Sequence, residues 1–246
     1  MSKRLIVAIV LVVGFAIPVA AQKVRKETFE SQGKKRTFYL VVPEGVTAAH
    51  PVPLLLLFHG SGRDGLSLVD KWKDVAAKEG FVLAGPDANA SAGWNVPADG
   101  PDYIHELTSE LISKYPIDVH RIYLFGHSAG ASFALYMALF ESEYFAAAAI
   151  HAGALRDSDQ ALVAQAARKI PIHMIVGTVD RSVPLSMVRN TRDMLNQNGF
   201  NSELTEMQGH DHWYYDLAPR INAEAWAFLK QHKLDNDPQF KHYSFR

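Results

Sequence analysis

The chain has no cysteine among its 246 residues. That absence excludes disulfides, a catalytic thiolate and cysteine-based zinc sites. It also removes the residue that a lipoprotein-type acyl anchor would need. Charge of either sign is not in excess: 25 Lys and Arg against 26 Asp and Glu leave a formal net charge of −1. No charge run, low-complexity tract or internal repeat is present, so neither nucleic acid nor another polyanion is an expected partner. Without cross-links the fold must rest on a packed core, and 48% hydrophobic residues over this length suffice for one domain.

The N-terminus stands apart. Lys3 and Arg4 precede an uninterrupted apolar run, Leu5–Val13, which Gly14 and Pro18 break before the small residues Val19-Ala20-Ala21. This is the layout of a secretory signal peptide. The run is short for a membrane span, so cleavage after Ala21 is expected rather than retention as an anchor. Residues 1–21 are then a signal peptide, and 22–246 form one secreted or periplasmic domain without stable membrane insertion. Loss of Lys3 and Arg4, with no acid, takes the net charge from −1 to −3.

The remainder alternates strand and helix signals. Arg36–Val42 predicts an early strand, and Val52–His59 a strand apolar on both faces, as a central parallel strand requires. Leu68–Lys78 predicts a helix with Gly80 past its end, and Phe81–Gly85 a strand. Residues 87–100 predict a loop rich in Gly, Ala, Asn and Pro. Then follow helix Asp102–Lys114, strand Arg121–Phe125, helix Ala129–Phe140, strand Tyr144–Ile150, helix Asp159–Arg168, strand Ile170–Val176, helix Leu185–Asn198, strand Glu203–Met207 and helix Ile221–Gln231. The polar tail after Leu234 is expected to be loosely held. The alternation implies an α/β fold with a mostly parallel, doubly wound sheet. Ligands of such sheets bind outside the carboxyl ends of the strands, which directs attention to the loops that follow them.

One such loop reads Gly126-His127-Ser128-Ala129-Gly130, between a predicted strand and a predicted helix. A sharp strand-to-helix turn of this kind forces its central residue into a strained conformation and excludes side chains two positions away on either side. It lifts the serine hydroxyl above the sheet, and the helix that follows turns its N-terminal N–H groups towards developing negative charge. Acyl transfer also needs preorganised oxyanion donors. The backbone N–H of Ala129 is one candidate. The other is the N–H of Ser61, in the His59-Gly60-Ser61-Gly62 turn after the most apolar strand. His59 itself reads as a brace for that loop.

A nucleophilic serine needs a base, and the base needs an acid behind it. In this strand order the acid follows the serine and the histidine follows the acid. Asp180 lies just past a strand end, in Gly177–Pro184, a better placed loop than that of Asp157 and Asp159. The base must lie after the last strand, where Gly209-His210-Asp211-His212-Trp213-Tyr214-Tyr215 offers two histidines that spacing alone does not separate. A metal held by the H-x-H pair lacks companion ligands nearby. His232 and His242 read as surface residues.

Together, Leu54–Gly62 (LLLLFHGSG), Gly93–Asn95 (GWN), Arg121–Leu135, Gly177–Pro184 (GTVDRSVP) and Gly209–Asp216 (GHDHWYYD) resemble the single-domain esterases of the α/β-hydrolase fold. The related groups are the polyhydroxybutyrate depolymerases, feruloyl and acetylxylan esterases, and S-formylglutathione hydrolase. The resemblance spans roughly Arg36 to Leu229. It implies Ser128 as nucleophile and Asp180 as acid, with no cofactor and no metal. The DHWYY stretch resembles the family segment in which paired aromatics closely follow the histidine, which favours His212. Other members place the histidine directly after a glycine pair, which favours His210. His212 is carried forward as base and His210 as the alternative. Unlike many polymer depolymerases, this chain has neither disulfides nor a binding module.

The expected substrate is a small-molecule or saccharide ester, including one linked to a plant polysaccharide, held in an open cleft without a cap domain. Trp94 and Trp213 are candidate lining residues, whereas Arg63 and Arg181 read as solvated. Two other readings share these residues. A serine peptidase would use the same triad, and a non-catalytic binding protein on the same scaffold would have no need to keep it intact.

Overall fold

The structure, a computed structural model, describes residues 23–96 and 98–241. Residues 1–21, expected to be a signal peptide, and His242 lie outside the described residues. Eight strands form one sheet in the order β1-β2-β4-β3-β5-β6-β7-β8. They are β1 (Arg25–Ser31), β2 (Lys34–Val41), β3 (Val52–Phe58), β4 (Val82–Pro86), β5 (Ile117–His127), β6 (Ala147–His151), β7 (Ile172–Gly177) and β8 (Ser202–Met207). The pairs from β4 through β8 are parallel, while β1 on β2 and β2 on β4 are antiparallel.

Helices cover both faces. On one, α1 (Gly65–Glu79) and α6 (Ala218–Leu229) pack Trp72, Ala76, Ala225 and Trp226 against Leu55, Leu57, Tyr123 and Phe125. On the other, α2 (Pro101–Lys114), α3 (Ala129–Phe140), α4 (Gln160–Gln165) and α5 (Leu185–Gln197) cover Leu54, Leu56, Phe58, Leu124 and Ile150. Successive side chains of a strand point to opposite faces. The all-apolar run of β3 is thus divided between two cores, and each of Leu54 to Phe58 is fully buried.

The chain runs outward from β3 to β4 on one side and returns through α2 to β5 on the other. The reversal opens a crevice at the carboxyl ends of β3 and β5, where ligands bind in such sheets. Ser61 follows β3 and Ser128 follows β5.

Several boundaries differ from those expected. Strand β1 has no counterpart in the sequence reading. It is a charged edge strand joined to β2 by Gln32 and Gly33, both at positive φ (50° and 71°), as a two-residue hairpin turn requires. Strand β5 starts at Ile117 rather than Arg121, and β6 at Ala147 rather than Tyr144. Tyr144 and Phe145 instead donate their N–H groups to Glu141 O, extending the turn after α3. Helix α4 ends at Gln165, short of the expected Arg168.

The tail is also held more firmly than its polarity suggests. Leu234 is buried and bonded by its backbone to His120, Gln239 N donates to Glu143 O, and Phe240 stacks on His105 at 3.8 Å. His232 packs edge-on against Phe228.

Candidate active site

Ser128 takes φ 57° and ψ −121° at the junction of β5 and α3. A non-glycine residue in that region is strained and persists only where its surroundings hold it. Here the holding is steric. A Cβ on Gly126 would lie 2.1 Å from Gly130 O, and one on Gly130 would lie 2.0 Å from Phe58 O. The first glycine therefore lets the elbow close on itself, and the second lets the start of α3 press against β3. The Ser128 N–H donates to His151 O at 3.0 Å, fixing the elbow to β6.

Asp180 and His212 arrive from the loops after β7 and β8. His212 Nε2 lies 2.9 Å from Ser128 Oγ, and His212 Nδ1 lies 2.8 Å from Asp180 Oδ2. The other Asp180 oxygen accepts the N–H groups of Ser182 and Val183, each at 2.8 Å. A buried carboxylate must have such partners, and these fix its orientation as well. His210 faces away from Ser128, with its Nε2 3.1 Å from His151 Nε2. The two rings of the H-x-H pair thus point to different partners. Among the described residues, no group of three His, Asp or Glu could hold a metal.

Ser61 and Ala129 flank one point: a Cβ on Gly93 would lie 3.5 Å from both Ser61 Oγ and Ala129 Cβ. Among the described residues neither amide N–H donates to a protein acceptor, whereas Gly62 N is committed to Ser91 O. His59 is fully buried and braces this region. Its Nδ1 meets Gly60 O at 2.8 Å, its Nε2 accepts the Ala88 N–H, and its carbonyl accepts Trp94 Nε1–H at 2.9 Å.

The loop bearing Trp94 is clamped by a buried ion pair that the sequence did not suggest. Arg36 Nη2 donates to Asp99 Oδ1 at 2.6 Å, and Asp99 also accepts the N–H groups of Asn89 and Asn95. Arg36 further donates to the carbonyls of Asp87 and Ala98, and its guanidinium lies 3.6 Å from the Tyr103 ring centroid. Both charges are thus fully solvated by protein.

Beside Ala129 opens a cleft of about 720 Å³ lined by Trp94, Phe133, Tyr136, Phe140 and Arg156 among others. Trp94 stacks on Phe133 at 4.6 Å, so it both packs the core edge and lines the cleft. The three aromatics of α3 went unread as lining because their spacing equally suits a core helix. Trp213 does not share this cleft. It is exposed, with Arg63 over its ring and over that of Tyr215 at 5.3 and 5.0 Å. Arg63 is therefore held by aromatic faces, not merely solvated. Arg181 is exposed.

A nucleophile elbow at the carboxyl edge of an eight-stranded, mostly parallel sheet flanked by helices defines an α/β-hydrolase. Residues 95–221 match the phospholipase/carboxylesterase family, and the chain belongs to it, which makes it an esterase-type member of that fold. A bifunctional acetylxylan esterase/xylanase, XynS20E of Neocallimastix patriciarum, is 28% identical over 106 residues, covering 42% of this chain and 16% of that protein. A thermostable esterase structure superposes with TM-score 0.67 at 22% identity, over 85% of this chain and 63% of the other. An S-formylglutathione hydrolase from Agrobacterium tumefaciens gives 0.64 at 20% identity, over 85% and 94%. The chain thus spans a small part of the curated relative and somewhat under two thirds of the thermostable esterase. Among the described residues, no helix is long and apolar enough to cross a membrane.

Proposed function

We propose that the chain is an exported serine carboxylic-ester hydrolase working through Ser128, His212 and Asp180. The observation that carries this is the unbroken relay of 2.8 and 2.9 Å from Asp180 through His212 to the strained Ser128. His212 Nε2 takes the serine proton as Oγ attacks the ester carbonyl, and Asp180 fixes the tautomer and stabilises the imidazolium. The Ser61 and Ala129 N–H groups bind the oxyanion. His212 then protonates the leaving alcohol, and water repeats the cycle on the acyl-enzyme. Neither a cofactor nor a metal takes part.

The two sides of the ester follow from this. The general acid must reach the leaving oxygen, so the alcohol lies towards His212, Trp213 and Arg63. The acyl group then lies in the cleft of Trp94 and Phe133. An apolar cleft of about 720 Å³ admits an aryl or medium aliphatic acyl chain. The exposed Trp213 suits a small or saccharide alcohol.

The test is hydrolysis of p-nitrophenyl acetate by the 22–246 chain beside a peptide p-nitroanilide. The ester is expected to turn over and the anilide not. Ser128→Ala and His212→Ala are each expected to lower kcat by about 10⁴-fold or more. Undiminished turnover in Ser128→Ala overturns the reading, and preference for the anilide would make the enzyme a peptidase.

A further inference from the structure

His210 is not idle. It ends a chain of three buried histidines, in which His127 Nδ1 lies 3.0 Å from His151 Nδ1 and His151 Nε2 lies 3.1 Å from His210 Nε2. His151 uses a different nitrogen towards each neighbour, so the three rings form a line and share no central point. With all three rings neutral, two N–H···N bonds in such a line need their donors to run in one direction. Burial supports this, holding His127 at about 3 and His151 at about 2 and lowering His210. Tyr214 packs against both His127 and His151.

The ends of the line are telling. His127 immediately precedes the nucleophile, and His210 lies two residues before the base. On its other side the base loop is tied to the acid loop by one backbone bond and one to a side chain: Val179 N donates to His210 O at 3.1 Å, and Gly209 N donates to Thr178 Oγ1 at 2.9 Å. Towards the elbow, among the described residues, the hydrogen bonds that hold this loop apart from the triad's own are those of the histidine line. His151 joins it to the elbow twice, by its ring to His127 and by its carbonyl to Ser128 N.

We infer that His210, acting through His151, is a positioning residue that sets the spacing of His212 from Ser128. The inference rests on His212 being the base. Misplacing a catalytic group by about 1 Å costs on the order of 10²-fold in rate. Loss of the line should therefore reduce kcat and leave substrate binding alone, because the acyl cleft lies on the other side of the elbow.

The experiment compares His210→Leu with His210→Gln on p-nitrophenyl acetate, reading kcat and KM separately alongside the melting temperature. Leu fills the space but cannot bond His151, whereas the Gln amide reaches a similar distance and can donate. Expected is a fall in kcat of roughly ten- to a hundredfold in His210→Leu with KM nearly unchanged, and recovery to within about threefold in His210→Gln. His151→Leu combined with His210→Leu should be no worse than His210→Leu alone, since both break one line. Wild-type kcat in His210→Leu, or an equal fall in His210→Gln, overturns the inference. A measurement on the unaltered chain guards against misfolded variants. Nitrogen-15 NMR of its histidines at pH 6 should show three neutral rings with two N–H protons in slow exchange, and fast exchange at both would contradict the line. Turnover by the wild type and its loss in Ser128→Ala report on the esterase reading separately.

Discussion

At Ser128 the backbone can carry its strain because two glycines let the chain on either side close around it, and this much was legible as G-x-S-x-G between a strand and a helix. Which histidine meets Ser128 was not. His210 and His212 differ in placement because Gly209, at φ 71°, and the turn from Met207 O to His210 N swing the segment out of extended geometry. Their side chains then diverge, one to His151 and the other to Ser128. Gly126→Ala tests the elbow. Its Cβ would lie 2.1 Å from Gly130 O, so urea denaturation should show a loss of about 4 kcal/mol or more, or no folded protein. Asp99→Asn tests the clamp. It leaves Arg36 buried without its counter-charge, at an expected cost of about 3–5 kcal/mol. A loss below about 1 kcal/mol would mean that the loop does not depend on the pair.

Among the elements, the helices and central strands followed from periodicity because each buries one continuous stripe or run. What escaped was structure held by distant partners. Strand β1 has only two buried residues, Phe29 and Ser31, and exists because β2 offers it an edge. The tail is ordered by β5, α2 and the residues after α3, none of which its own polarity announces. Helix α3 serves two layers: Ala131 and Leu135 face the core, while Tyr136 and Phe140 reach the cleft with Trp94. Trp94→Ala should therefore lower kcat/KM for p-nitrophenyl benzoate by about tenfold relative to p-nitrophenyl acetate. Equal losses on both esters would mean that Trp94 serves packing alone.

Over the whole molecule, the buried histidines set the response to acid. His127, His151 and His210 bind protons less readily folded than at their ordinary value of 6.5. The unfolded chain therefore takes up protons first as pH falls, and stability that is complete above about 6.5 is lost progressively below it. Glu141 opposes this. Burial raises it from 4.5 to about 7, so it costs stability as pH rises through that interval. The histidines outnumber it, and unfolding free energy should fall between pH 6.5 and 5, by about 1 kcal/mol per pH unit for each of His127 and His151, with His210 adding in the same direction. Glu141→Gln should steepen the fall by removing the opposing group. A urea midpoint flat across this window would contradict the account.

The sequence alone determined the doubly wound sheet, the elbow at Ser128, the loop that presents Asp180 and the segment that carries His210 and His212. Each of these is encoded by neighbours in the chain: a periodicity, a glycine pair, a position just past a strand. Only the tertiary structure decided which histidine meets the serine, that Arg36 and Asp99 clamp the Trp94 loop, and that three histidines align behind the elbow. Those partners lie 63 residues apart for the clamp, and 24 and 59 apart along the histidine line. No local pattern records such pairings, because they arise only when the parallel strands bring their carboxyl ends to one edge.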